Sequence, residues 1–261
     1  MSRLFVFGLG YTAARLADVL RGNGWQVDAT GRAGNVDFND ASAVASSLGS
    51  ASHVLSSVPP SEGSDPVLES FGEALAGKWL GYLSSTGVYG DAGGAWVDES
   101  SPTGTGRRTA RAICDRRWLE KGARVFRLPG IYGPGRSALD RVSSGKAHRI
   151  DLPGQVFSRV HVDDIVSGVV AAIESDAAVG AYNLADDLPT SQNEVIEEAC
   201  RLLGVEAPPL QTMDEADLSP MARGFYAENR RVANGKAKRV LGWQPRFATY
   251  REGLAGIMAR A

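Results

Sequence analysis

The chain has 261 residues, 43% of them hydrophobic and 22% charged, and carries a formal net charge of −2. That length suits one large α/β domain, or a core with a small appended lobe, and the composition excludes a disordered chain. The charge balance offers no basic stripe of the kind that nucleic acid requires.

Leu4-Phe5-Val6-Phe7 is a short apolar run closed by glycine and reads as a buried strand. Thr12 to Arg21 follows as a helix with Ala13, Leu16, Ala17 and Leu20 on one face, stopped by Gly22-Asn23-Gly24. Trp25 to Thr30 is a second strand, so the first thirty residues form a βαβ unit with parallel strands. Val36-Asp37-Phe38 reads as a short strand and Ala41–Leu48 as a helix, and His53–Val58 as a strand halted by Pro59-Pro60. Pro66–Ala76 is expected helical, Trp79–Ser84 a strand, Thr109–Lys121 a helix and Ala123–Leu128 a strand ended by Pro129-Gly130.

This alternation predicts an α/β fold, a Rossmann-type doubly wound parallel sheet with helices on both faces. Beyond Gly130 the rhythm loosens, with a strand near Phe157–Val160, helix Ile165–Glu174, strand Tyr182–Leu184 and helix Gln192–Leu203. We therefore expect residues 1–130 to form the dinucleotide-binding core, with 156–185 and 236–261 returning to it. Residues 131–155 and 186–235 are expected to form a small C-terminal substrate lobe. Neither the N-terminus nor any later run has signal-peptide or membrane-span form, so no membrane contact and a cytoplasmic location are expected. Cys114 and Cys200 lack metal or redox spacing and read as small buried hydrophobes.

Gly8-Leu9-Gly10-Tyr11-Thr12-Ala13 fits G-x-G-x-x-A between a strand and a helix. Gly8 permits the tight turn, Gly10 removes the side chain that would block a pyrophosphate, and Ala13 allows close helix packing. The backbone amides of Tyr11 and Thr12 then open the helix toward the phosphates. At the end of the second strand, an acidic residue would select NAD and an arginine NADP. Asp28 lies two residues before the strand end and reads as a locally paired residue, whereas Arg32 is placed for a 2′-phosphate. NADP(H) is expected in preference to NAD(H), with Asp37 and Phe38 bordering the adenine.

Further motifs follow in order: Leu83-Ser84-Ser85-Thr86-Gly87-Val88-Tyr89-Gly90, Arg127-Leu128-Pro129-Gly130-Ile131-Tyr132-Gly133-Pro134-Gly135 and Val160-His161-Val162-Asp163-Asp164. Tyr182-Asn183-Leu184-Ala185 and Leu241-Gly242-Trp243-Gln244-Pro245 close the series. With the glycine turn, they make the whole chain resemble the short-chain dehydrogenase/reductase superfamily, in its extended and atypical, NAD(P)-dependent epimerase/dehydratase-like branches. The resemblance implies that Ser85 is the active-site hydroxyl, that Val58 and Pro59 line the cofactor's ribose and nicotinamide, and that Pro129 and Ile131 sit against the nicotinamide ring. It also implies, more loosely, that Arg136 and His161 contact substrate. Family members often pair through helices beside the active-site helix, which allows a homodimer.

The pattern breaks at one place. Active family members carry Tyr-x-x-x-Lys, the tyrosine as proton donor or acceptor and the lysine on the ribose. No tyrosine here has a lysine four residues on. Alignment puts Arg107 at the tyrosine position and Arg111 at the lysine position. Arginine cannot act as the acid–base group, because its pKa is too high, but it replaces a lysine's charge and ribose contacts. Arg107 and Arg111, four apart with Arg108 beside them, read either as a helix face that clamps an anionic substrate group or, with Arg116 and Arg117 further along, as a solvated basic face. Tyr89, Tyr132 and His161 are the remaining proton-donor candidates.

Asp163-Asp164 at a helix start reads as capping, His53 as core and His148 as a loop residue without a ligand set, so no metal site is expected. Asp98-Glu99 either shapes the substrate mouth or solvates a loop. Two functions stay open: an NAD(P)-dependent oxidoreductase or epimerase-like enzyme acting on a small molecule, and a catalytically silent dinucleotide-binding redox sensor or regulatory protein.

Overall fold

The computed structural model describes residues 2–260. Along the first half of the chain run β1 (Arg3–Phe7), α1 (Tyr11–Gly22), β2 (Gln26–Ala29), α2 (Ala41–Ser50), β3 (His53–Ser56), α3 (Pro66–Phe71), β4 (Trp79–Ser85), α4 (Thr109–Glu120) and β5 (Arg124–Leu128). The second half contributes α5 (Ala138–Ser143), α6 (Val162–Glu174), β6 (Gly180–Asn183), α7 (Gln192–Leu203), α8 (Pro220–Tyr226), α9 (Gly235–Leu241) and α10 (Tyr250–Met258). The six strands form one parallel sheet in the spatial order β2-β1-β3-β4-β5-β6. The order reverses between β1 and β3, because the chain winds outward to β2 and then returns to the other side of β1. A crevice therefore opens beyond the carboxyl ends of these two strands.

Both faces of the sheet are covered, which is why its strands are apolar on both sides. In β1 the period of two sends Leu4 and Val6 to one face, where Leu16 and Leu20 of α1 meet Ile165 and Val169 of α6. Phe5 and Phe7 point the other way, against Val44 of α2, Val67 of α3 and Trp118 of α4. Helix starts are fixed locally: Asp40 caps α2 and Asp65 caps α3, each accepting two backbone N–H bonds. Ser191 and Glu194 form a capping box on α7, which ends at the left-handed Gly204. A third cluster joins Leu139 of α5, Ile196 of α7 and Leu254 of α10 around Tyr132. The final helix thus packs with α5 and α7, while Ala237, Leu241 and Trp243, just before it, pack against the sheet. No described helix is long and apolar enough to cross a membrane.

The strand expected at Val36–Phe38 does not form. Val36 donates its N–H to the Ala29 carbonyl and the chain turns at once, with Asp37 accepting from the Asn39 amide. Three residues leave no length for a paired edge, and Phe38 instead packs edge-on against Phe7 and Phe71. Helix α3 ends at Phe71 rather than Ala76. Asp163 and Asp164 do not cap α6. His161 does, its Nδ1 accepting from the Asp163 amide at 3.1 Å. Asp164 is buried and ties down the amides of Arg246 and Phe247, and Asp163 pairs with Arg260 at 3.0 Å.

One buried polar network fastens α4 to the sheet. Arg127 on β5 makes a two-pronged pair with Asp115 at 2.8 and 3.1 Å and donates to the Tyr89 hydroxyl at 3.0 Å. Ser84 donates to Asp115, and Tyr89 donates to Asn183 of β6. Such a pair is costly to break, because the survivor is left as an uncompensated buried charge. Asp115→Ala is expected to lose about 3–5 kcal/mol of unfolding free energy, read as a lower urea midpoint. A loss below ~1 kcal/mol would show that Arg127 finds another partner.

Candidate active-site cleft

At the switch point, Gly8 adopts a left-handed φ of +83° that its residue type allows without strain. Its N–H donates to the Thr30 hydroxyl at 3.1 Å, and Leu9 donates to the Thr30 carbonyl at 2.7 Å. The turn is thereby locked to the end of β2. A Cβ built on Gly10 meets nothing within 4 Å. Helix α1 begins at the next residue with neither a capping side chain nor an acidic residue in its first turn. Its start is therefore an open, electropositive end, able to take a phosphate on backbone amides.

This end borders a cleft of about 1040 Å³. Of the residues singled out from the sequence, Gly10, Tyr11, Thr12, Ser85, Arg107, Arg111, Pro129, Ile131, Tyr132 and Arg136 all line it. The remaining candidates lie elsewhere. Arg32 is exposed beyond β2, with no acidic partner within 4 Å among the described residues. Asp28 accepts from Asn35 at 2.8 Å, a local pairing. Val58 packs against the Gly8 turn, a methyl lying 3.1 Å from where a Gly8 Cβ would stand. Pro59 is exposed beside it, and Asp37 and Phe38 occupy the turn after β2 described above.

Arg136 lies at the α1 end of the cleft, its guanidinium 5.7 Å from the Tyr11 ring, and Tyr11 in turn donates to the Pro134 carbonyl at 3.1 Å. Ser85 lines the cleft, half-buried at the end of β4. Its oxygen accepts the Gly87 amide at 3.1 Å, which leaves its own proton free to be donated. Arg107 and Arg111 do not share a helix face, because α4 starts only at Thr109 with Arg108 as its N-cap. Arg107 instead pairs with Glu228 at 3.7 Å and stacks on Phe225, while Arg111 donates to the Tyr82 hydroxyl at 2.8 Å.

Two of the proton-donor candidates lie outside the cleft lining. The Tyr89 hydroxyl is consumed between Arg127 and Asn183, and burial pushes its pKa up to about 12. His161 is 1% exposed and packed between Tyr132 and Phe247, and burial holds its pKa down to about 4. Tyr132 does line the cleft, but its hydroxyl is buried without a hydrogen-bond partner and burial drives its pKa far up. Glu99, weighed as a rim residue, holds the Asn183 amide at 2.7 Å. Arg108, beside Arg107 in the basic run, and His148 also line the cleft, as do Phe225, Tyr226, Glu228 and Arg230, which the sequence did not mark.

Sheet order, glycine turn and cleft together define the fold of the extended, epimerase/dehydratase-like short-chain dehydrogenase/reductases. Within that fold, the chain belongs to one family with a functionally unknown conserved protein from Silicibacter pomeroyi. The two share 39% identity over 100% of this chain and 99% of that one, with a TM-score of 0.89. The human epimerase family protein SDR39U1, solved with NADPH, is 18% identical over 99% of this chain and 100% of its own, with a TM-score of 0.79. A 3-diazoavenalumate denitrifying reductase from a Streptomyces species is 34% identical over 161 residues, covering 56% of this chain and 52% of that protein. The match thus spans about half the length of that curated relative. No family model matches the chain.

Outside the cleft lining, Asp186 is 2% exposed and neither of its oxygens has a hydrogen-bond partner. Burial pushes its carboxyl up to about 7, against the pull of the Arg159 guanidinium. The folded state then holds a proton that the unfolded chain releases near pH 4. Asp186 therefore costs stability progressively as pH rises from 4 to 7. Asp186→Asn is expected to raise the thermal midpoint at pH 8 and leave it unchanged near pH 4. Equal midpoints at both pH values would contradict the assignment.

Proposed function

We propose that this protein is a nicotinamide-dinucleotide-dependent oxidoreductase that prefers NADP(H) and reduces or oxidises a small molecule. The observation that carries this reading is the uncapped start of α1 behind Gly10, opening into the cleft that also holds Ser85. The likeness to a Streptomyces reductase and to a human protein solved with NADPH supports it.

In this reading the amides of Tyr11 and Thr12 hold the diphosphate, and Arg136, beside Tyr11, adds charge at the same end. Gly8 shapes the turn, Arg32 takes the 2′-phosphate, and Asp37 and Phe38 flank the adenine. Val58 and Pro59 border the ribose, and Arg111 supplies the cation that a lysine supplies elsewhere in the superfamily. Pro129 and Ile131 fix the face of the nicotinamide, which supplies hydride chemistry when bound. Ser85 donates its free proton as a hydrogen bond to the reacting oxygen of the substrate, stabilising charge that builds there. The absence of Tyr-x-x-x-Lys favours a second reading, a dinucleotide-binding redox sensor without turnover, which a null result in every substrate screen would select.

Titration with NADPH, NADP, NADH and NAD tests the first reading. Tightest binding is expected for NADPH or NADP, and Gly10→Val should abolish binding of all four. Arg32→Gln should weaken NADPH about tenfold, on the order of 1.4 kcal/mol for one lost charge-assisted contact, while leaving NADH unchanged. Binding of none of the four would overturn the proposal. Once a substrate is found, Ser85→Ala should lower kcat by roughly 100-fold, the scale of one lost oxyanion donor, with cofactor affinity intact.

A further inference from the structure

The charged side chains lining the cleft are unbalanced. Arg107, Arg108, Arg111, Arg136, Arg141, Arg159 and Arg230 face only Asp140 and Glu228. Asp140 is spent on the capping box with Ser137. Glu228 is shared by Arg107 at 3.7 Å and Arg230 at 2.9 Å. Arg159 is satisfied by the carbonyls of Phe157, Thr190 and Ser191. Arg136 stands at the α1 end. Arg141 is exposed on α5. Arg108, bordering Ser85, and Arg111, on α4, remain with no carboxylate within 4 Å among the described residues.

Arg108 is placed there by its neighbours. A Cβ on Gly87 would fall 2.5 Å from the Arg108 Cδ, 3.2 Å from its Nε and 3.3 Å from the Ser85 Oγ. The glycine thus leaves the space that the arginine stem occupies, and guanidinium and hydroxyl border the same spot. Phe225 lies under the guanidinium of Arg108 at 5.7 Å and that of Arg107 at 5.3 Å, giving both a flat apolar support. Burial, and then the nearby Arg107 and Arg111, pull the Arg108 pKa down against the opposing charge of Glu228. The start of α4 adds positive potential, having no capping side chain and no acidic residue in its first turn.

We propose that Arg108, assisted by Arg111, binds an anionic group of the substrate, a carboxylate or a phosphate, and so presents the adjoining carbon centre to Ser85. The inference rests on the reading of Ser85 as the substrate-facing hydroxyl. It moves the centre of the clamp suggested by spacing from Arg107 and Arg111 to Arg108, the N-cap of α4. A guanidinium fits either oxyanion through paired N–H donors, whereas a neutral sugar or simple ketone would leave the charges uncompensated.

Calorimetric titration of inorganic phosphate and of benzoate into the cofactor-free and the NADPH-saturated protein tests this. At least one of the two anions should bind the wild type in both states, and its identity tells phosphate from carboxylate. Arg108→Gln should weaken that binding at least tenfold, and Arg108→Lys should weaken it less. Arg116→Gln, on the same helix but paired with Glu120, should leave it unchanged. Gly87→Ala keeps every charge but displaces the Arg108 stem, and should weaken the anion as Arg108→Gln does; it serves if that variant melts early. NADPH affinity should stay within twofold in Arg108→Gln. Anion binding that is absent from the wild type, or equal in wild type, Arg108→Gln and Gly87→Ala, overturns the proposal. Should the anion bind while NADPH does not, the cofactor reading falls and the anion site stands.

Discussion

The structure depends on one constraint: the chain must pass from β1 into α1 without any side chain filling the gap between them. Gly8 accepts a left-handed backbone, Thr30 holds the turn from β2, and Gly10 leaves open space. These conditions leave the first amides of α1 facing a cleft rather than a capping oxygen. Unsatisfied donors at a helix start are tolerated where water or a ligand reaches them. The reversal of strand order at β1 and β3 supplies that access. The turn and the strand order thus together leave an open helix start at the edge of the cleft.

The rest of the cleft is organised by charge. Buried positive side chains are matched: Arg127 has Asp115, and Arg159, in the cleft lining, has the carbonyls of Phe157, Thr190 and Ser191. Elsewhere along the cleft wall they are not, and the arginines around the start of α4 share a single carboxylate, Glu228. These guanidiniums are exposed or half-buried, so an anion entering the cleft would meet them. In the proposed reading, arginines stand where the resemblance leads one to expect a tyrosine and a lysine, and anion binding takes the place of the tyrosine's proton transfer. Ser85 keeps a free proton.

Much of this was legible in the sequence, because the fold is written in local patterns. The alternation of short apolar runs with helical periodicity gave the parallel sheet, and the glycine turn met its context test between strand and helix. The failures share one cause, that spacing does not tell where an element begins. Val36–Phe38 has strand-like residues but no length, because Val36 is already turning back onto Ala29. Arg107 and Arg111 are four apart, but α4 starts between them. Tyr89 and His161 carry suitable chemistry, yet their positions are set by long-range packing against Arg127, Asn183, Tyr132 and Phe247. Arg230 and Glu228 sit in a polar tail with no periodicity, and only tertiary structure brings them to the start of α4.

The central claim is that the open start of α1 receives a dinucleotide's diphosphate bridge. A crystal structure grown with excess NADPH tests it most directly. The account predicts diphosphate oxygens within hydrogen-bond distance of the Tyr11 and Thr12 amides, and the nicotinamide lying between Ile131 and Ser85. A diphosphate held elsewhere, or a cleft empty of coenzyme at saturating NADPH, would contradict it.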